Sequence, residues 1–273
     1  MIINPHIVEL DAEHPGFRDI EYRHRRDMIA LASDEFKGSP NTIPIIDYHE
    51  KEHEVWRFVS EKLSDLSEKY ACEVHLEGIK TLGISKQFIP QLRHISEIMI
   101  NKSAFQMAPV KGLVPGKDFM RSFAGGIFYS TQYIRHNSQP GFTPEPDIIH
   151  EILGHSGGLC DPLISKIARE IGNSALKTND ENKLKELESI YWFVIEYGLV
   201  KENNKVKTFG AGNLSSFIDI QRSVEDTSCH YPFEIEIIAK TPYDPTITQE
   251  KLFVASSFED CYKQINEYCR SII

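Results

Sequence analysis

The sequence predicts a predominantly helical α+β domain with small β-sheets beside its functional site. Three observations point there: long apolar stripes at helical spacing, helix-start signals ahead of them, and only short runs of β-branched and aromatic residues between turn residues. Val55, Val59, Leu63, Leu66 and Tyr70 recur every three or four residues and predict an amphipathic helix over about 50–70. The β-rich pieces 126–134 and 205–209 predict short strands. Asp161 before Pro162 reads as a cap followed by proline at the first helical position. Leu163, Ile164, Ile167, Ala168 and Ile171 then form one apolar stripe suited to the core. The polar stretch 177–182 predicts a connecting loop, and 183–200 a further helix that presents Glu196 inward. Ser257 with Asp260 resembles a capping box and starts a last helix running to about Cys269. No repeat, low-complexity segment or linker divides the chain, so residues 1–273 are expected to form a single domain.

Composition narrows the function. A chain of 273 residues can bury roughly three quarters of its unfolded surface around one core. Its 41% hydrophobic and 26% charged residues are ordinary for a globular enzyme. The net charge of −10 argues against nucleic acid or an anionic membrane as the main partner. Five cysteines, an odd number without Cys-x-x-Cys spacing, read as reduced thiols, not as a disulfide frame. Met1–His6 lacks the apolar core of a signal peptide, and no run reaches transmembrane length. A cytoplasmic protein with a small-molecule partner is expected.

The run Thr143-Pro-Glu-Pro-Asp-Ile-Ile-His-Glu-Ile-Leu-Gly-His155 carries the most chemistry. A zinc peptidase spaces its two histidines four apart, as His-Glu-x-x-His, because such residues stack on a helix. His150 and His155 are five apart, which on a regular helix turns them away from each other by about 140°. Both reach one metal only where the helix ends, loosens or takes a π-type turn near Gly154. Glu196 is the one charged residue in the apolar run 189–200. A bare carboxylate there is costly, so it must be paired, protonated or metal-bound. Two imidazoles and a carboxylate on one face make the facial triad of non-heme iron(II) oxygenases, with positions left open for oxygen and water. Taken as residues alone, the three also fit a hydrogen-bonded core with Glu196 paired to an arginine, or a zinc hydrolase with Glu151 as base.

Longer motifs surround these residues. Ser130-Thr-Gln-Tyr-Ile-Arg-His-Asn-Ser138, Thr143-Pro-Glu-Pro-Asp147, His150-Glu-Ile-Leu-Gly-His155, Tyr191-Trp-Phe-Val-Ile-Glu196 and Phe209-Gly-Ala-Gly-Asn-Leu-Ser-Ser-Phe217 closely resemble the pterin-dependent aromatic amino acid hydroxylases. Further similarity runs from His14-Pro-Gly-Phe-Arg-Asp19 and Tyr22-Arg-His-Arg-Arg26 to Val254-Ala-Ser-Ser-Phe258, so it spans almost the whole chain in order. The resemblance implies that family's catalytic-domain fold and a monooxygenase that hydroxylates the ring of a free L-aromatic amino acid. It implies Fe(II) and tetrahydrobiopterin as cofactors and O2 as co-substrate, the pterin supplying two electrons while the iron activates oxygen. By the same match His150, His155 and Glu196 ligate iron, and no side chain acts as nucleophile. Val110–Phe119 resembles the cofactor loop, so Gly112, Leu113 and Val114 are expected to approach the pterin and Phe119 to stack on it. Glu151 is expected to contact the cofactor directly or through water. Arg135 matches the residue that holds the substrate carboxylate, a task suited to a guanidinium fork, with Thr143 and Ser215 assisting. Pro146, Trp192 and Tyr197 are expected to wall the substrate ring. Asp147, three residues before His150, is a candidate acceptor fixing a ligand imidazole, and the family pattern pairs Glu145 with Arg26.

Some positions depart from that pattern. After the second histidine the family usually reads Val-Pro, whereas Ser156-Gly157-Gly158 stands here. That segment is expected to be a loop beside the metal, with glycines that make room for a larger ring. Tyr129 stands where relatives carry His or Gln. Pro245, beside Asp244, falls at a position that helps distinguish phenylalanine from tyrosine hydroxylation. Trp192 resembles the phenylalanine and tyrosine enzymes, so phenylalanine 4-hydroxylation is favoured, with tryptophan 5-hydroxylation or relaxed specificity as the alternative. Animal members commonly add an N-terminal regulatory domain and a C-terminal oligomerisation helix. Neither is visible in the sequence, so a minimal catalytic domain is expected, monomeric, or dimeric through another surface.

Overall fold

The computed structural model describes residues 10–141 and 143–272. The expectations for Met1–His6 and for the chain end at Ile273 lie outside the described residues. Helix α1 (Ile20–Ala32) starts at Asp19, whose side chain accepts from the Tyr22 N–H. Helix α2 (Glu50–Tyr70) matches the predicted span and buries Val55, Trp56, Val59 and Leu63. Each such side chain contributes about 1.5–3 kcal/mol on leaving water. Helix α3 (Glu73–Leu82) stops at Gly83, whose φ of 63° suits a residue without Cβ. Then come α4 (Leu92–Ser103), β1 (Gln106–Pro109), α5 (Gly116–Ser122) and β2 (Ile127–Ser130). Strands β1 and β2 pair in parallel with Gln106 opposite Ile127. The predicted strand 126–134 is thus only four residues long in its paired part.

A π-helix over His150–Ser156 follows and runs into the short helix α6 (Gly157–Leu159). Helix α7 (Pro162–Lys177) begins as predicted, Asp161 accepting from the N–H groups of Leu163 and Ile164. Its residues Ile164, Ile167, Ala168 and Ile171 are buried, while Leu163 is half-buried. The polar loop is short, because α8 (Glu181–Tyr191) already begins at its Asp180 cap.

The helix expected over 183–200 gives way to a second π-turn at Trp192–Glu196, and Leu199–Glu202 is strand β3. Sheet pairing captures the apolar end of that run: β3 pairs antiparallel with β4 (Lys205–Thr208) and parallel with β6 (Leu252–Ala255). Gly198 makes the bend, since a methyl there would meet the Val194 carbonyl oxygen at 2.3 Å. Between these strands lie α9 (Ala211–Leu214), α10 (Asp219–Glu225), β5 (His230–Pro232) and α11 (Ile235–Lys240), and α12 (Phe258–Ser271) closes the chain. The larger sheet has the order β4-β3-β6-β5. Ser257 accepts from the Asp260 N–H at the start of α12, as its capping pattern predicts.

One main apolar core, including Phe105, Phe128, Ile152, Phe193 and Phe253, joins helices and both sheets and backs the two π-turns. All five cysteines are buried and unpaired with one another. Among the described residues no helix is long and apolar enough to cross a membrane.

Candidate active site

The extra residue in each π-turn solves the spacing problem posed by the sequence. His150 and His155 point to the same place, their Nε2 atoms 3.0 Å apart. Glu196, at the end of the second π-turn, brings Oε1 within 3.2 Å of His155 Nε2 and Oε2 within 3.6 Å of His150 Nε2. The three residues each offer one ligand atom within 4.8 Å of the others. Donors bound to a first-row dication at about 2.0–2.1 Å stand about 3.0–3.4 Å from one another, so the triangle suits a single ion. Gly154 allows α9 to lie against the first turn, because a methyl there would meet the Ala211 carbonyl oxygen at 2.9 Å.

The surroundings fix the ligand atoms. The Ser215 hydroxyl donates its proton to the Ala211 carbonyl at 2.8 Å, so it acts as acceptor for His150 Nδ1 at 2.9 Å. That places the His150 proton on Nδ1 and leaves the Nε2 lone pair facing Glu196 and His155. The Tyr191 hydroxyl donates to Glu196 Oε1. The Phe128 ring packs on the His155 ring with centroids 4.4 Å apart. Burial pushes the His150 imidazole down to about 4, with Glu196 only partly opposing, so it is neutral near pH 7. Burial alone would raise the Glu196 carboxyl, but His155, His150 and the Tyr191 hydroxyl outweigh it and hold it at about 2. A lone pair and an anion are the protonation states a cation requires.

Asp147 does not hold an imidazole, contrary to the sequence expectation. Its Oδ1 accepts from the His150 backbone N–H at 3.0 Å, capping the turn, and both its oxygens bind Arg135. Burial would raise this carboxyl, but the Arg135 guanidinium and the two backbone N–H groups hold it below the usual range. The imidazole partner is Ser215, a residue expected beside the substrate carboxylate.

With this geometry in view, comparison with known proteins is decisive. The model of the biopterin-dependent aromatic amino acid hydroxylases matches residues 2–273. The chain belongs to this family. It is 40% identical over 257 residues to tyrosine 3-monooxygenase of Drosophila melanogaster, covering 92% of this chain and 44% of that one. It superposes with TM-score 0.77 and 28% identity on phenylalanine hydroxylase from Legionella pneumophila, covering 84% of this chain and 93% of that one. It also shares the fold of a Chromobacterium violaceum phenylalanine hydroxylase that holds iron(III) and 7,8-dihydrobiopterin, with TM-score 0.79, 23% identity and 90% of both chains covered. The chain spans about half the length of the tyrosine 3-monooxygenases it matches, 44% to 54%.

Phe119 sits edge-on to Phe128 at 5.1 Å and to Tyr191 at 5.6 Å, so it is one ring removed from His155 and from Glu196. Gly112 and Val114 are half-buried in the loop before α5 and Leu113 is 78% exposed; open space surrounds the Gly112 Cα. Glu151 is buried and accepts from the Thr131 N–H at 3.2 Å; burial pushes its carboxyl well above the usual range. Arg135 is buried with Nε and Nη2 on Asp147, leaving Nη1 at 3.4 Å from the Pro140 carbonyl. Thr143 donates to the Glu145 carbonyl, and Pro146 accepts from Thr131. Glu145 pairs with Arg26, as the family pattern implies, and with His14 at 3.2 Å. Trp192 and Tyr197 have rings 5.0 Å apart at the two ends of the second π-turn.

The expectation for Ser156-Gly157-Gly158 is overturned. All three are buried, the glycines are helical, and α3 packs against Gly157 while Ile164 of α7 faces Gly158. A methyl on Gly157 would meet His75 Nδ1 and the His75 carbonyl oxygen at 2.9 Å each, so Gly157 opens no room for a larger ring. Tyr191 and Phe128 were not among the predicted site residues. Tyr191 carried a readable signal, since it precedes Glu196 by the same five positions that separate the two histidines.

Proposed function

We propose that this chain uses iron(II) and tetrahydrobiopterin to hydroxylate the ring of a free L-aromatic amino acid with O2, with phenylalanine, at its 4-position, the favoured substrate. The observation that carries this reading is the pair of π-turns that aim His150, His155 and Glu196 at one point. Two imidazoles and one carboxylate leave positions open, which suits iron(II) and oxygen chemistry. When bound, iron and the reduced pterin supply the electrons that dioxygen needs to react with an aromatic ring.

The chain's own residues bind, orient and exclude water. Ser215 holds the His150 tautomer, and Tyr191 keeps the Glu196 carboxylate in place. Asp147 grips one edge of Arg135, so the guanidinium is rigid, and Nη1, which also donates to the Pro140 carbonyl at 3.4 Å, is the donor left for a substrate carboxylate. Pro146, Trp192 and Tyr197 bound the ring, and Phe119 with Gly112, Leu113 and Val114 brackets the pterin, holding both reactants against each other. Glu151, whose carboxyl burial pushes well above the usual range, lies beside the first ligand as a hydrogen-bond partner for the cofactor. Trp192, the residue that resembles the phenylalanine and tyrosine enzymes, supports phenylalanine over tryptophan.

Replacing His150, His155 or Glu196 by Ala tests the assignment. Each variant is expected to fold, to lose its iron and to lose turnover. Retained activity with Glu196→Ala contradicts it.

A further inference from the structure

We propose that Gln249 is a positioning residue that sets which aromatic ring the pocket accepts, by tying the indole of Trp192 to the loop 243–249. This deepens the function proposed above and rests on it. Gln249 is 6% exposed, although it ends a loop whose residues 244–248 are exposed. Every polar atom of its side chain is used. Oε1 accepts from Trp192 Nε1 at 3.0 Å, and Nε2 donates to the carbonyls of Asp244 and Ile247 at 2.8 Å each. Its own carbonyl accepts from Arg222 at 2.8 Å, anchoring it to α10.

The loop is applied to the indole from a second direction. Tyr243 stacks on Trp192 with centroids 4.6 Å apart and planes 16° from parallel. Trp192 is also the first residue of the π-turn that carries Glu196, its carbonyl accepting from the Tyr197 N–H at 3.0 Å. One amide therefore joins the loop, the indole wall and the turn bearing a ligand. A buried amide with all its partners satisfied rigidifies what it connects, and losing one end leaves the other groups unpaired.

Two substitutions separate the halves of the clamp. Gln249→Glu keeps an acceptor for the indole but cannot donate to the two loop carbonyls when ionised. Gln249→Met loses both ends at similar volume. The test combines kcat/KM for phenylalanine, tyrosine and tryptophan with the indole N–H signals of the metal-free 273-residue chain. The chain has two tryptophans, and Trp56, whose N–H donates to Ser85, serves as an internal control.

In Gln249→Met one indole signal should move while the other stays. The preference between the best and second-best amino acid should narrow about tenfold, the scale of one pocket contact. The KM for the amino acid should rise while that for the pterin holds. Gln249→Glu should narrow the preference with a smaller indole shift. Unmoved indole signals in Gln249→Met overturn the clamp, and a moved signal with unchanged preference overturns its role in selectivity. A uniform fall of all kinetic constants together with the melting temperature reduces Gln249 to a structural residue and also overturns it. Wild-type protein without any hydroxylation would overturn the proposed function, while the indole signals still decide the clamp.

Discussion

A methyl group placed on Gly78 would stand 2.0 Å from the carbonyl oxygen of Gly157, two residues after His155. Helix α3 therefore meets the end of the first π-turn backbone to backbone, and His75 flanks the contact. Gly157, in the segment where the family usually reads Val-Pro, is a packing solution that holds the metal-binding turn from behind. Gly78→Ala is expected to cost about 3 kcal/mol or more, at the upper end for overpacking because backbone must move, and to weaken iron binding. Gly158→Ala is the control, since its methyl meets only Ile164 at 3.6 Å. Calorimetry and metal titration of the two variants check this; equal effects would contradict it.

Ser215→Ala removes the acceptor of the His150 Nδ1 proton without touching the ligand set. Such partners typically govern ligand orientation at a level of about 10–100-fold in metal affinity. That loss is expected here, with a melting temperature close to wild type in the metal-free protein. Competition with a chelator measures it, and unchanged affinity would show that the ring is oriented by packing alone.

Acidification should destabilise the metal-free chain in a defined window. His150 and His75 are both pushed by burial from about 6.5 to about 4, so the unfolded chain takes up protons first as pH falls. Their contribution is complete above about pH 6.5 and is lost between there and about pH 4, of the order of 3 kcal/mol for each. Glu196 acts lower: its contribution is present above about pH 4.5 and is lost as pH falls through about 2. Thermal unfolding from pH 7.5 to pH 3 should show its steepest decline between pH 6.5 and 4. A flat profile there would mean that the imidazoles are not buried neutral.

Much of this architecture was legible in the chain. Helical periodicity gave α2, and the Asp161-Pro162 signal gave the start of α7, because both are local properties. The five-residue histidine spacing required the helix to end, loosen or take a π-type turn, and the structure supplies the π-turn. What escaped was non-local. The end of the predicted helix 183–200 became a strand because β4 and β6 stand on either side to pair with it. Asp147 and Ser215 exchanged expected partners because only folding shows that Arg135 claims Asp147 and that α9 delivers Ser215 to His150. The helical Gly157-Gly158 read as a loop because nothing in the segment announces Gly78, far back in sequence, as its neighbour.

The most direct test is product analysis of the iron(II)-loaded protein with tetrahydrobiopterin and O2, offered equal phenylalanine, tyrosine and tryptophan in one vessel. Tyrosine formed from phenylalanine is the expected main product, strictly dependent on both iron and pterin. Absence of any hydroxylated amino acid, with iron confirmed bound at His150, His155 and Glu196, would contradict the proposed function.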